Sequence, residues 1–163
     1  MSLFNRRTLL LMPLALAACG FEPVYAPGGS GAALNGRVAV SAPNSVDSYL
    51  LVQNLEQRLG RSATSGNKYD LNVNVSTTFR RSAITSTNET NRYTIDGRSN
   101  YTLRSNETGQ IIASGRVENF VSYSAAGSTV STLADERDAR ERLMVILSDQ
   151  IVNELYAAPG LGS

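Results

Sequence analysis

The sequence predicts an α+β fold. It is a two-layer sandwich with two helices packed on one face of a mainly antiparallel four-stranded sheet, in the order β-α-β-β-β-α. Three observations predict it. Residues 69–123 contain three successive stretches in which apolar and polar side chains alternate, the pattern of half-buried strands. Turn-rich segments separate these stretches, so consecutive strands form a meander. The segments flanking this block each carry one apolar stripe at helical spacing, so both helices can cover the same sheet face and leave the other to water.

The chain opens with Asn5-Arg6-Arg7, an apolar run from Thr8 to Ala18 broken by Pro13, and then Cys19 after the small pair Ala17-Ala18. A positive start, a short apolar core and small residues before the cut are the three parts of a secretory signal. The apolar core is about half of the ~20 residues that a spanning helix needs. Cys19, the only cysteine, stands where a bacterial lipoprotein signal places the thiol that receives a diacylglycerol. The expectation is a signal peptide over residues 1–18 and a membrane anchor at Cys19, since two or three acyl chains on one residue hold stably. Gly20 follows the cysteine in place of the aspartate that retains lipoproteins at the inner membrane, which favours the outer membrane. Arg6-Arg7 suits both twin-arginine and Sec export.

Residues 20–34 are rich in Gly, Pro, Ala and Ser, so residues 19–35 are expected to be a lipidated cysteine and flexible tether. A single domain then spans 36–158, with 159–163 as a tail. Arg37 to Val40 is a short strand candidate between Asn35-Gly36 and Pro43. Asn44 or Ser45 can cap the helix that follows, and Asp47 suits its positive first turn. Val46, Leu50, Leu55 and Leu59, flanked by Leu51 and Val52, form its stripe, and Gly60 closes it. From Tyr69 to Phe79, Leu71, Val73, Val75, Thr77 and Phe79 face one way and the intervening polar residues the other. Residues 81–90 read as a polar hairpin end. Alternation resumes over 93–104, turns at 105–109, and runs again from Gln110 to Tyr123. In that last strand Asn119 falls in the apolar register and Phe120 out of it, so a bulge near 118–120 is expected. Residues 125–131 read as a loop. A long helix is expected from Leu133 to Tyr156, with Asp135, Glu136 and Asp138 in its first turns and Leu143, Ile146, Leu147, Ile151 and Leu155 as its buried stripe.

Composition narrows the chemistry. Without the first 18 residues, 13 basic residues face 14 acidic ones, so charge gives no argument for nucleic acid. There is no histidine, and the single cysteine is assigned to the anchor. Acid-base work by histidine, a free cysteine nucleophile and a Cys/His zinc cluster are thereby excluded. The acids show no pairing pattern of a carboxylate-only site. No catalytic residue, metal site or cofactor is expected, apart from covalent lipid on Cys19.

The polar face of the strands is the informative surface. Residues 80–116 hold six arginines against three acids. Guanidinium groups pair well with phosphate and carboxylate, so such a face can receive an anionic ligand or line a wet protein interface.

The lipobox followed by Gly20-Phe21-Glu22-Pro23-Val24-Tyr25 resembles the Cys-Gly-Phe-x-Pro-Leu-Tyr start of the LptE family of lipopolysaccharide-assembly lipoproteins, with Val24 in place of leucine. The element order, the length and the helix ending at Leu155-Tyr156 also look like that family. The resemblance implies a non-enzymatic outer-membrane lipoprotein on the periplasmic side. It implies a plug and assembly partner for an LptD-like outer-membrane β-barrel, and a protein that binds lipopolysaccharide on its way to the outer leaflet. On that basis Arg80, Arg81, Arg92 and Arg98, clustered at one end of a strand pair, are the candidates to meet lipid phosphates or acidic sugars. A pilotin-like or other assembly lipoprotein for a different outer-membrane protein is the alternative reading.

Overall fold

The structure is a computed structural model that describes residues 24–25, 28–61, 66–84, 90–125, 128–159 and 161. Cys19, the signal segment and the tip of the expected hairpin at 85–89 lie outside the described residues. The elements are α1 (Ser30–Leu34), β1 (Val38–Val40), α2 (Val46–Leu59), β2 (Tyr69–Ile84), β3 (Thr90–Ser105), β4 (Ile111–Ser124) and α3 (Thr129–Tyr156).

The four strands form one sheet in the order β1-β2-β3-β4. β2, β3 and β4 are the expected antiparallel meander. β1 runs parallel to β2, with Val38 opposite Tyr69 and Val40 opposite Leu71, so the sheet is mixed. The parallel pair follows from its connection, because α2 carries the chain back to the same end of the sheet before β2 begins.

Both long helices pack on one face. Leu51, Leu55 and Leu59 of α2 and Leu143, Leu147, Ile151 and Leu155 of α3 are fully or almost fully buried over Leu71, Ile95, Leu103 and Val117 of the strands. Each such side chain contributes about 1.5–3 kcal/mol by leaving water, so packing can hold the domain together. At Gly97 helix α3 comes close against the sheet. A Cβ there would lie 2.9 Å from Leu143 Cδ2 and 3.0 Å from Leu147 Cδ1.

Helix α2 has the bounds that its periodicity predicts. Ser45 caps it in a reciprocal box: Ser45 Oγ accepts from the Ser48 N–H at 3.1 Å, and Ser48 Oγ accepts from the Ser45 N–H at 2.8 Å. Gly60 ends it at φ 75, a backbone conformation that disfavours any side chain. Its buried face is rotated from the expected one. Val46 is 70 % exposed, while Asp47 and Ser48 are buried beside Leu51 and Val52. Asp47 turns inward because Arg140 and Thr77 satisfy its carboxylate there.

Three further expectations need correction. α3 begins at Thr129, not Leu133, because the Ser128 side chain accepts from the Ser131 N–H and caps a turn that reads as loop by composition. Its acids therefore lie beyond the first turn. The bulge expected at 118–120 is absent: register runs unbroken from Arg92↔Ser124 to Leu103↔Ala113. Asn119 remains on the helix-covered side opposite Gly97, half-buried, with its side-chain oxygen accepting from the Phe120 N–H, and Phe120 stands 63 % exposed on the open side. Irregularities fall instead at Leu103/Arg104 and between Arg81 and Ile84.

The segment expected as a tether through Asn35 is in part a component of the fold. Leu34 of α1 is fully buried in the core. The Tyr25 and Tyr156 rings meet edge-to-face at 5.8 Å with their hydroxyls 3.1 Å apart, and Ser30 Oγ donates to the Tyr156 carbonyl at 2.7 Å. No helix among the described residues is long and apolar enough to cross a membrane.

Candidate ligand face of the sheet

Strand alternation sends the even-numbered side chains of β2, β3 and β4 to the face without helices. Cross-strand register arranges them in rows: Asn74–Asn100–Arg116, Ser76–Arg98–Glu118, Thr78–Asp96–Phe120 and Arg80–Thr94–Ser122. Neighbours in a row, and diagonal neighbours for long side chains, are close enough to interact.

The charged members pair across strands. Arg80 makes a two-pronged bond to Asp96 through Nε and Nη2. Arg98 does the same to Glu118, with Nε at 2.9 Å from Oε1 and Nη2 at 3.3 Å from Oε2. Arg116 approaches the same Glu118 oxygen at 2.6 Å, so one carboxylate serves two guanidinium groups. Ser82, Thr94 and Ser122 continue the face as a chain of hydroxyls, with Thr94 and Ser122 2.8 Å apart. Between these groups lies an open depression of about 460 Å³, floored by Ser76 and Thr78 and walled by Arg80, Arg98 and Phe120.

The pairing shapes the electrostatics. The hydrogen bond from Arg80 holds the Asp96 carboxyl below its usual range, and the bond from Arg98 does the same for Glu118, helped by the charge of Arg116. The two arginines are raised in return. These pairs are exposed to water, so they contribute little to stability. A doubly charged anion can therefore compete for the guanidinium groups at small cost to the fold.

Of the four arginines singled out by sequence, Arg80, Arg92 and Arg98 hold register positions on this open face. Arg81 does not: it stands opposite Tyr93, whose ring stacks on Tyr123 on the helix-covered side. The sequence reading missed Glu118 and Phe120 as members of the site. With Glu118 included, residues 80–124 hold six arginines against four acids, so the stretch is less basic than it reads. The signal was present in the even phase of the last strand, and the expected bulge hid it.

A second polar cluster joins the layers. Arg140 of α3 donates to Asp47 of α2 at 2.8 Å and to Glu136 at 3.0 Å, and its guanidinium lies 5.1 Å from the centre of the Phe79 ring. Thr77 donates to the other Asp47 oxygen at 2.7 Å. Further along, the Tyr101 hydroxyl donates to Glu154 at 2.5 Å, and burial, with that bond second, pushes the phenol well above its usual range. Both constellations hold helices to sheet. Among the described residues no group of His, Cys, Asp or Glu could hold a metal ion.

Comparison with known proteins extends these observations. A family model described as "LptE: Lipopolysaccharide-assembly" matches residues 36–155. A putative lipoprotein from Caulobacter crescentus is 20 % identical with a TM-score of 0.66, over 81 % of this chain and 96 % of that one. Lipoprotein B from Nitrosomonas europaea is 12 % identical with a TM-score of 0.60, over 85 % and 91 %. Rare lipoprotein B from Shewanella oneidensis is 10 % identical with a TM-score of 0.54, over 74 % and 92 %. At these identities the structural likeness establishes the fold. No curated protein sequence matches the chain.

Proposed function

The chain belongs to the LptE lipopolysaccharide-assembly family, and on that premise we propose that it is a plug and assembly partner of an LptD-like outer-membrane β-barrel that binds lipopolysaccharide in transit. In this reading Cys19 carries the lipid that holds the domain at the periplasmic side of the outer membrane. The observation that carries the proposal is the family match over residues 36–155, nearly the whole described domain. The character of the open sheet face supports it. Three long strands present hydroxyls, amides and paired charges there, which suits the polar interior of a large barrel. Arg80, Arg92 and Arg98 suit the phosphates or acidic sugars of lipopolysaccharide, because a guanidinium fork matches two oxygens of one anion. The composition supports carrying and docking over catalysis, with no histidine anywhere in the chain.

Depletion in the source bacterium tests the reading. The expected outcome is loss of lipopolysaccharide from the cell surface together with misassembled barrel protein, and a tagged wild-type protein should recover that barrel from solubilised envelopes. Normal surface lipopolysaccharide on depletion, or recovery of a secretin in place of a large barrel, would overturn it.

A further inference from the structure

The outer edge of β4 is open. β4 is the last strand of the sheet, and among the described residues no strand pairs with its far side. Which backbone groups it presents can be worked out from the opposite edge. On β2, the Leu71 carbonyl accepts from Ser41 N–H at 2.9 Å and the Val73 N–H donates to Ser41 Oγ at 3.2 Å, so odd residues of β2 point away from β3. In an antiparallel ladder the pairs alternate between bonded and non-bonded. Even residues of β2 therefore bond to β3, odd residues of β3 bond to β4, and even residues of β4 point outward.

One bond checks this independently. The Phe120 N–H donates to the side chain of its neighbour, Asn119 Oδ1, at 2.8 Å. An amide side chain thus stands in at one position where a strand partner would accept. Ser114, Arg116, Glu118 and Ser122 present their N–H and C=O groups in the same direction.

This edge lacks the usual protections. From Ala113 to Ser124 it has no proline, no lysine and no register break. Its two charges, Arg116 and Glu118, neutralise each other at 2.6 Å. The other side of the sheet differs: β1 is only Val38–Val40, Ser41 occupies Val73, and β2 is irregular between Arg81 and Ile84.

We propose that β4 takes up an extended segment of a partner protein as a fifth strand, along residues 114–122. Geometry argues against a second copy of this chain. Helix α3 sits directly over β4, with Glu154 Oε2 2.8 Å from where a Cβ of Gly115 would lie and Glu136 bonded to Tyr123. Paired edge strands lie about 5 Å apart, whereas packed helices need about 8–10 Å between axes. In an antiparallel edge-to-edge pair, which puts both helices on the same face, the two would collide. Resting on the barrel-partner reading above, the inference also limits the source of the segment. Strands in a closed barrel wall have all their backbone groups paired, so the segment comes from a luminal loop or a terminal extension of the barrel protein.

The test uses proline at outward positions, where it removes a free N–H but no β3–β4 bond. Tagged full-length Ser114→Pro and Ser122→Pro, with Ser114→Ala and Ser122→Ala as side-chain controls, are purified from solubilised envelopes, and barrel protein is quantified by mass spectrometry. Thermal unfolding confirms that each folds. The proline variants should recover the barrel at least about fivefold less than their alanine controls, the factor that one lost hydrogen bond gives. In wild-type complex, hydrogen exchange at 114, 116, 118 and 122 should slow relative to the protein alone. Equal recovery by the folded proline variants, or unchanged exchange in a complex that does form, overturns strand addition and leaves the barrel reading standing. If wild-type protein recovers no barrel, both fall together.

Discussion

Glu118 shares one carboxylate between Arg98 and Arg116, and its protonation sets how many guanidinium groups are free. Its carboxyl is depressed first by the bond from Arg98. A depressed carboxylate holds its partners throughout the range above its ordinary value and lets go as pH falls through the lower folded value. At neutral pH the pair is closed. Glu118→Gln removes the competing charge, so lipopolysaccharide should bind several-fold more tightly at neutral pH and low salt, while Arg98→Glu should bind more weakly. The gap between wild type and Glu118→Gln should narrow below about pH 4. Equal affinities at neutral pH, measured on purified protein, would remove this row from the ligand site. The sequence revealed the arginines of this face because they are numerous. It did not reveal the pairing, since a carboxylate 16 or 20 residues along the chain, on the next strand, becomes a neighbour only through register.

At the level of elements, the joint between α2, α3 and β2 rests on Arg140. Its bonds to Asp47 and Glu136 raise its already high pKa, and Asp47 keeps only 12 % of its side-chain surface in water. Arg140→Ala leaves that carboxylate with Thr77 as its remaining partner. Denaturant unfolding should show a loss of about 2–4 kcal/mol, while the double variant Asp47→Asn, Arg140→Ala should lose less, because the buried charge is gone with its partner. A double variant as unstable as the sum of its singles would show that the two do not act together. The elements themselves were legible wherever a period persisted. Helix α2 has the bounds its stripe and caps predict, and the meander follows from strict alternation. What failed was phase and facing. Asp47 is inside and Val46 outside because a partner on another element decides the matter, and no helical periodicity contains that partner.

On the scale of the whole molecule, the least legible part was α1. A Gly- and Ala-rich stretch of five residues has no stripe to read, and it is held by Leu34 in the core and by Ser30 bonded to the end of α3. Leu34→Ala tests whether that placement matters. A core leucine lost in this way costs about 2–5 kcal/mol, and the unfolding midpoint should fall accordingly; an unchanged midpoint would return the segment to the status of a tether. The docking of Tyr25 on Tyr156 also fixes which pole of the domain faces its anchor. Val24 is five residues beyond Cys19, at most about 18 Å of stretched chain, whereas the 16 residues of β2 rise about 50 Å. With Cys19 acylated as proposed, the leash is shorter than the mast. With the domain standing upright, Arg80 and Arg92 are held at its far end from the leaflet that carries the anchor, and any lipid they meet there has to be hoisted to them.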